Sequence, residues 1–319
     1  MTATTTTTTA TTATTETTTS AEAPAEWVRL QQAVADYLHR PLRLVTTNGH
    51  TTFTSPPAES SLQRAIVDDG PGSAARLAIY HQQQWQRRLQ VLQQSFAKTT
   101  EVMGAFSFNR VMLSHLTYNP HIERSYDLGK ASTGVYAHLQ ELLATSSDPG
   151  VDDDRPVHQL GDVLLAPAPP RSALLQALAR DEAERRAANA PWIAPAIDGP
   201  KRLRPDATRI ITAPSLSVLR STWRWTEADP HHGGPLQLVR GEVVHHVVAR
   251  TATGISVVEV DSVAARALIL AQQHPWPVVV AKVTVAVPER GRAQVPALLE
   301  QTATRALAAG WWFGPAVAA

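Results

Sequence analysis

Two periodicities and one change of texture predict a mainly α N-terminal helical domain followed by a smaller α+β C-terminal domain. Between residues 27 and 190, apolar side chains recur at three- and four-residue intervals, as on one buried helix face. After Ala190 the chain turns irregular, with Pro191, Pro195, Pro200 and Pro205. Beyond them, short β-branched runs alternate with turn residues. The division expected is a Thr-rich tail over 1–24, a helical domain over 25–190 and an α+β domain over 205–319.

Residues 1–24 are nearly all Thr and Ala. Ordering each residue costs about 1–2 kcal/mol of backbone entropy, and few large apolar groups are present to offset it, so a disordered tail is expected. Order begins at Trp27: Trp27, Leu30, Val34 and Leu38 form a helical stripe that Pro41 ends. The Thr-rich stretch that follows reads as a loop, and Pro56-Pro57 as the opening of a short helix through Val67. Asp68-Asp69-Gly70-Pro71-Gly72 is a breaker, after which Ser73 can cap a helix.

That helix is predicted to run unbroken to Gly104, its C-terminal cap. Trp85, Leu89, Leu92, Phe96 and Met103 face inward; Gln83, Gln86, Arg87, Gln90, Gln94 and Lys98 face water. Phe108, Met112 and Leu116 define a second helix over 105–118, and Val135, Leu139 and Leu142 another over 133–144. Residues 146–156 read as an acidic linker. From Val157 to Ala188 the pattern is helical, interrupted at 166–170, with Leu174, Leu175 and Leu178 inward. Asp181, Glu182, Glu184, Arg185 and Arg186 read as a solvated face with local ion pairs.

In the second half, strands are expected at 209–212, 216–219, 236–240, 243–250 and 255–260, the last two joined by a hairpin loop at 251–254. Asp261 or Ser262 can cap a helix to about Gln273, which Pro275 and Pro277 break. A final helix spans 291–309, and Trp311-Trp312-Phe313 forms an apolar plug.

Composition narrows the function. Lys and Arg number 29 and Asp and Glu 28, a formal net charge of +1. Polyanion binders normally carry a basic excess on one face, so general nucleic-acid binding is disfavoured. The absence of cysteine excludes disulfides, thiolate zinc or iron–sulfur ligation and a thiol nucleophile. There is neither a secretory signal pattern nor an apolar run long enough to span a bilayer, so no membrane association and a cytoplasmic location are expected.

Few residues suggest chemistry. His231-His232 lies in a Pro/Gly-rich loop. His245 and His246 are strand neighbours pointing to opposite faces, and so unable to share one metal. Asp152-Asp153-Asp154 lacks the spaced oxygens and glycine of a calcium loop. Ser215, His245 and Asp261 are of nucleophile–base–acid types but carry no motif spacing. No catalytic, cofactor or metal residue is assigned. Residues 85–103 and 105–118 are a helix-turn-helix candidate, yet the second helix opens Ala105-Phe106-Ser107-Phe108-Asn109, with only Arg110 basic. Across residues 25–150, 11 Lys and Arg stand against 10 Asp and Glu, a thin basis for neutralising phosphates. A further candidate is the strand carrying Leu238, Val239 and Arg240. At a sheet edge its unpaired backbone could accept an extended peptide; the alternative is an ordinary interior strand.

Arg76, Leu77, Ile79 and Tyr80, then Phe96, Val102 and Gly104, then Phe108, Leu116, Tyr118 and Pro120 stand in the order and spacing of a known family. The chain resembles the HvfC/BufC N-terminal domain family, described as a DNA-binding domain, over about residues 27–190. His81 and Gln83 replace its usual Arg and Asn. The resemblance implies that Arg76, Leu77, Tyr80, Phe96 and Gly104 are structural. It also implies a non-catalytic accessory protein, which binds a short precursor peptide and a multinuclear non-haem iron oxidative enzyme during ribosomal peptide modification. The iron and the chemistry would belong to that enzyme. The alternative is a DNA-binding transcriptional regulator.

Overall fold

A computed structural model describes residues 25–67, 72–118, 132–145, 154–166, 168–193, 201–203, 210–226, 237–313 and 316–318. They form a helix-rich fold with small antiparallel sheets. The Thr-rich tail, Asp68–Pro71, His231-His232 and Asp152-Asp153 lie outside the described residues. No described helix is long and apolar enough to cross a membrane. Two compact units appear, residues 1–82 and 83–319.

The first unit contains α1 (Ala25–His39), a β1–β2 hairpin (Arg43–Thr47, His50–Thr54), α2 (Ser60–Val67) and the first turns of α3 (Ser73–Ser95). The hairpin corrects the expected loop. Asn48 and Gly49 both take positive φ, 52° and 79°, and Asn-Gly is the pair that a two-residue turn of primed type favours. Helix α2 starts at Ser60, later than the Pro56-Pro57 expected to open it. Tyr37, Leu62 and Leu77 make the small core, with Leu30, Val34 and Leu38 packed against it. Trp27 is 60% exposed, so the outer end of the predicted stripe lies in water. His81 is fully buried. Its Nε2 donates to the Arg40 carbonyl at 2.7 Å, and its Nδ1 lies 3.0 Å from Ser55 Oγ, tying the hairpin and the end of α1 to α3.

The second unit opens with the remainder of α3. Trp85, Leu89, Leu92, Phe96 and Met103 are all buried as predicted. The helix is nevertheless not continuous. At Phe96 the backbone leaves the helical region (φ −126°, ψ 49°), and α4 (Ala97–Met103) starts afresh. Gly104, at φ 78°, ends it where a side chain would be strained. Helix α5 (Ala105–Tyr118) buries Phe108, Met112 and Leu116. Helix α6 (Val135–Thr145) buries Val135, Leu139 and Leu143, so the third inward residue is Leu143 and not the expected Leu142. The helical pattern predicted from Val157 gives way to a hairpin, β3 (Gln159–Leu160) and β4 (Val163–Leu164), turning at Gly161 with φ 61°. Helix α7 (Arg171–Asn189) follows.

Short strands β5 (Lys201–Leu203) and β6 (Ile211–Thr212) precede the main sheet of β7 (Ser217–Thr226), β8 (Gln237–Thr251) and β9 (Gly254–Val260), ordered β7-β8-β9 and antiparallel. The runs expected at 236–240 and 243–250 are one strand, although Gly241, Glu242 and Val243 have no register partner in β7. Asp261 caps α8 (Ser262–Ala271), accepting from the Ala264 amide at 2.8 Å. Helix α8 ends before Pro275, as expected, but Pro275 and Pro277 do not leave the chain irregular. They open α9 (Trp276–Ala286), where a proline in the first turn forfeits no hydrogen bond. A 3₁₀ turn (Glu289–Gln294) leads into α10 (Val295–Ala308). Strands β10 (Trp312–Phe313) and β11 (Ala316–Ala318) pair with β6 and β5.

The sheet is covered on both faces. Val247 and Val258 join Leu268, Val279, Val283, Leu299, Trp311 and Trp312 in one core. On the other face, Val248 and Leu219 pack against Ala183 and Ala187 of α7. The helix expected to close the helical region is therefore a packing partner of the sheet.

Candidate functional site

Strand β8 behaves differently along its length. His245–Thr251 pairs with β7 or continues beyond it on one side and pairs with β9 on the other. Gln237–Arg240 and Val244 pair with β7 alone, and Gly241, Glu242 and Val243 between them have no register partner. The cause is local: β9 ends at Val260 because Asp261 turns the chain into α8, so no neighbour continues beside the first half of β8. Among the described residues no strand covers that side. In an antiparallel ribbon, alternate residues aim their N–H and C=O away from the partner, leaving unfilled hydrogen-bonding positions along this edge. Val239, Arg240, Gly241, Glu242 and Val243 are consecutively exposed, Val239 and Val243 at 46% each. Strand alternation sets Val239 on the face of Val247 and Arg240 on the face of His246, while Glu242 and Val243 fall within the register irregularity.

The exposed ribbon is braced from one side. A register irregularity sets Thr222 of β7 against Gly241, Glu242 and Val243 of β8, so that β8 carries two extra residues there. A bulge of this kind leaves backbone amides without ladder partners. Gln176 of α7 supplies them: its Oε1 accepts from the Thr222 amide at 2.9 Å and the Trp223 amide at 3.1 Å, while its Nε2 donates to Thr222 Oγ1 at 2.9 Å. Trp223 Nε1 donates to Ser172 Oγ at 3.0 Å, and Ser172 donates to Asp154 at 2.8 Å. Asp154 also pairs with Arg240 at 2.5 Å. Helix α7 thus holds both strands of the ribbon.

Beside this brace lies a cleft of about 670 Å³ between α7 and the sheet. Its floor is Leu219, His246 and Val257, and its walls carry Lys98, Arg180, Arg220, Arg224 and Glu259. Lys98 Nζ meets Glu184 at 2.9 Å and Arg180 Nε meets the same carboxylate at 2.5 Å. Those contacts hold Glu184 below the usual carboxylate range despite its burial. Burial, then the positive charge of Arg180, pushes His246 down, so the imidazole is neutral at pH 7. Arg224 is only loosely paired, 3.8 Å from Glu259.

Below the cleft, Asp181 and Glu182 correct the expected solvated face: they are 3% and 7% exposed. Asp181 accepts from the Lys98 amide (3.2 Å), the Thr99 amide (2.7 Å) and Thr99 Oγ1 (2.8 Å). These are the first-turn donors of α4, whose N-cap residue Phe96 offers no acceptor. Asp181 is a helix cap supplied from another helix. Burial pushes its pKa up to about 6 against the pull of those hydrogen bonds and of Lys98. Lys98, expected in water, is drawn into this cluster. Glu182 is met by Arg185 at 2.8 and 2.9 Å.

The other candidates divide clearly. Leu238 pairs with Trp225 through its backbone, at the outer end of the open edge. Of the motif residues, Leu77 and Phe96 are buried and Gly104 uses its positive φ, whereas Arg76 and Tyr80 are exposed and add nothing to the core. Helix α5 buries Ser107, Phe108, Val111, Met112, Leu113, His115 and Leu116, which leaves little of it for a DNA groove. Ser215 accepts from the Arg250 amide at 3.1 Å, and Asp261 caps α8. Among the described residues no three His, Asp or Glu side chains converge as metal ligands. Sequence reasoning missed Gln176, Arg180, Arg220 and Arg224; the bulge that gives Gln176 its role leaves no composition signal. No protein-family model matches the chain, and no curated protein matches it.

Proposed function

We propose that this chain is a non-catalytic accessory protein that holds an extended peptide against the first half of β8. One observation carries the reading: Val239–Val243 is a braced, solvent-exposed strand with a vacant side among the described residues. Long exposed edges invite pairing with other chains, and natural sheets usually blunt them. Here the edge keeps two exposed valines, Val239 and Val243, and is stiffened through Gln176 and Asp154. Strand addition would supply backbone hydrogen bonds, and Val239 and Val243 apolar contact, for a chain of loose sequence requirement.

In this reading the helical portion over 25–190 is scaffold and the α+β portion over 205–319 bears the peptide. The partners implied by the family resemblance are a short precursor peptide and a multinuclear non-haem iron oxidative enzyme, with iron and turnover on the enzyme. The DNA-binding alternative is less well supported, because α5 spends seven of its side chains on the core. The test is calorimetry of the full chain with a short Cys-rich peptide encoded beside its gene, coupled to photo-crosslinking from a benzophenone amino acid at Val239 or Val243. Binding with crosslinks at both positions supports the proposal. Absence of binding, alone and with the neighbouring enzyme, removes it.

A further inference from the structure

Resting on that reading, we infer that the cleft between α7 and the sheet takes carboxylate side chains of the bound peptide, so that the partner is an acidic extended segment. Three observations converge. Lys98, Arg180, Arg220 and Arg224 face one cavity against a single lining carboxylate, Glu259. Glu184 neutralises Lys98 and Arg180 from below, but Arg220 makes no ion pair among the described residues and Arg224 has only its 3.8 Å contact. Arg220 and Arg224, both lining residues, therefore keep capacity for bidentate carboxylate contacts.

The cleft also reaches the strand that pairs with the open ribbon. Arg224 lines the cavity and is register partner of Val239, while Trp223 lines it and is partner of Arg240. The Arg224 side chain also runs past Gly241, within ordinary contact distance of where a Cβ would stand. A chain laid along β8 would project alternate side chains to each face of the ribbon, one set toward the face of Arg240 and His246, where the cleft lies. The floor of Leu219 and Val257 suits aliphatic stems, and neutral His246 adds a hydrogen-bonding group rather than another charge. Carboxylates at alternate positions satisfy rim and floor together.

Fluorescence anisotropy on the full chain tests this with three labelled synthetic peptides of about twelve residues, valine alternating with Glu, Gln or Lys, and a labelled single-stranded oligonucleotide. The Glu peptide should bind about tenfold more tightly than the Gln peptide at low salt, the two values converging near 0.5 M salt as about two exposed ion pairs are screened. Glu259→Gln should tighten the Glu peptide, and Arg220→Glu with Arg224→Glu should erase its advantage while the circular dichroism spectrum stays that of the parent. Equal affinity for Glu and Gln peptides overturns the acidic specificity and leaves strand addition standing. Tighter capture of the oligonucleotide overturns it in favour of a nucleic-acid ligand. No binding of any probe sinks both this inference and the function on which it rests.

Discussion

Replacing Asp181 by Ala isolates how α4 is started. Helix α3 stops at Phe96, and the amides of Lys98 and Thr99 need an acceptor that Phe96 cannot offer. Asp181 provides it from a residue 82 positions away from Thr99, in a site where Thr99 is fully buried. Leaving a buried donor unmet costs about 1–3 kcal/mol, and loss of an N-cap typically about 1 kcal/mol, so the deletion should remove roughly 3 kcal/mol. A second term opposes it. The carboxyl titrates near 6 when folded against 3.8 for the ordinary group, which at neutral pH makes the ionised buried form a liability of about 3 kcal/mol.

The sign follows from linkage. A folded pKa above the unfolded one contributes stability that is full below pH 3.8 and is lost as pH rises through 6. The cost of Asp181→Ala should thus be largest in acid and shrink by about 2 kcal/mol between pH 4.5 and 7.5. Urea denaturation of the parent and variant at both pH values measures it. A cost that is unchanged or greater at pH 7.5 would refute the burial argument, and no cost at pH 4.5 would refute the capping role. Asp181→Asn keeps one acceptor for the two Thr99 donors and should cost less than half as much as alanine in acid.

Other outcomes follow from neighbouring contacts. Gln176→Ala strands two bulge amides and should cost about 2 kcal/mol, with faster amide exchange confined to β7 around Thr222 and Trp223. His81→Ala removes the link to the Arg40 carbonyl and Ser55; a loss of about 2–3 kcal/mol is expected, read as early proteolysis within residues 25–82. His115 is pulled down to about 4, first by burial and then by His138, whose ring centre is 4.9 Å away, against the pull of the Thr133 carbonyl. Its folded pKa lies below the ordinary 6.5, so it favours the native state above that value and the advantage drains away as pH falls toward 4. His115→Asn should flatten that acid limb of the stability curve; an unchanged limb would exclude His115 as its source.

Much of the helical portion was legible because its stripes are long and regular. The inward positions from Trp85 to Met103 each find the core, since a 3.6-residue period leaves little choice of face. The break at Phe96 was not legible: its cap arrives from Asp181, and no local pattern carries that information. The same separation disguised Asp181 and Glu182, whose charges look solvated until Thr99 and Arg185 are set beside them. The hairpin over 43–54 hid in a Thr-rich run with no buried face, though Asn48-Gly49 marks its turn. Helix α9 was masked by prolines that punctuate a helix interior but suit its first turn. The strand at Leu238, Val239 and Arg240 could be named from sequence, but its one-sided pairing depends on where β9 ends. The cleft gathers Lys98, Arg180, Arg220 and Glu259 from separate elements, and only the tertiary fold brings them together.

Hydrogen–deuterium exchange on the full chain, with and without a saturating extended peptide, addresses the proposed role most directly. Strand addition predicts slowed exchange within Gln237–Val244, with little change at the Ser262–Ala271 helix. Saturated binding that leaves those β8 amides as fast as before, or steady turnover of a small molecule by the chain alone, would contradict it.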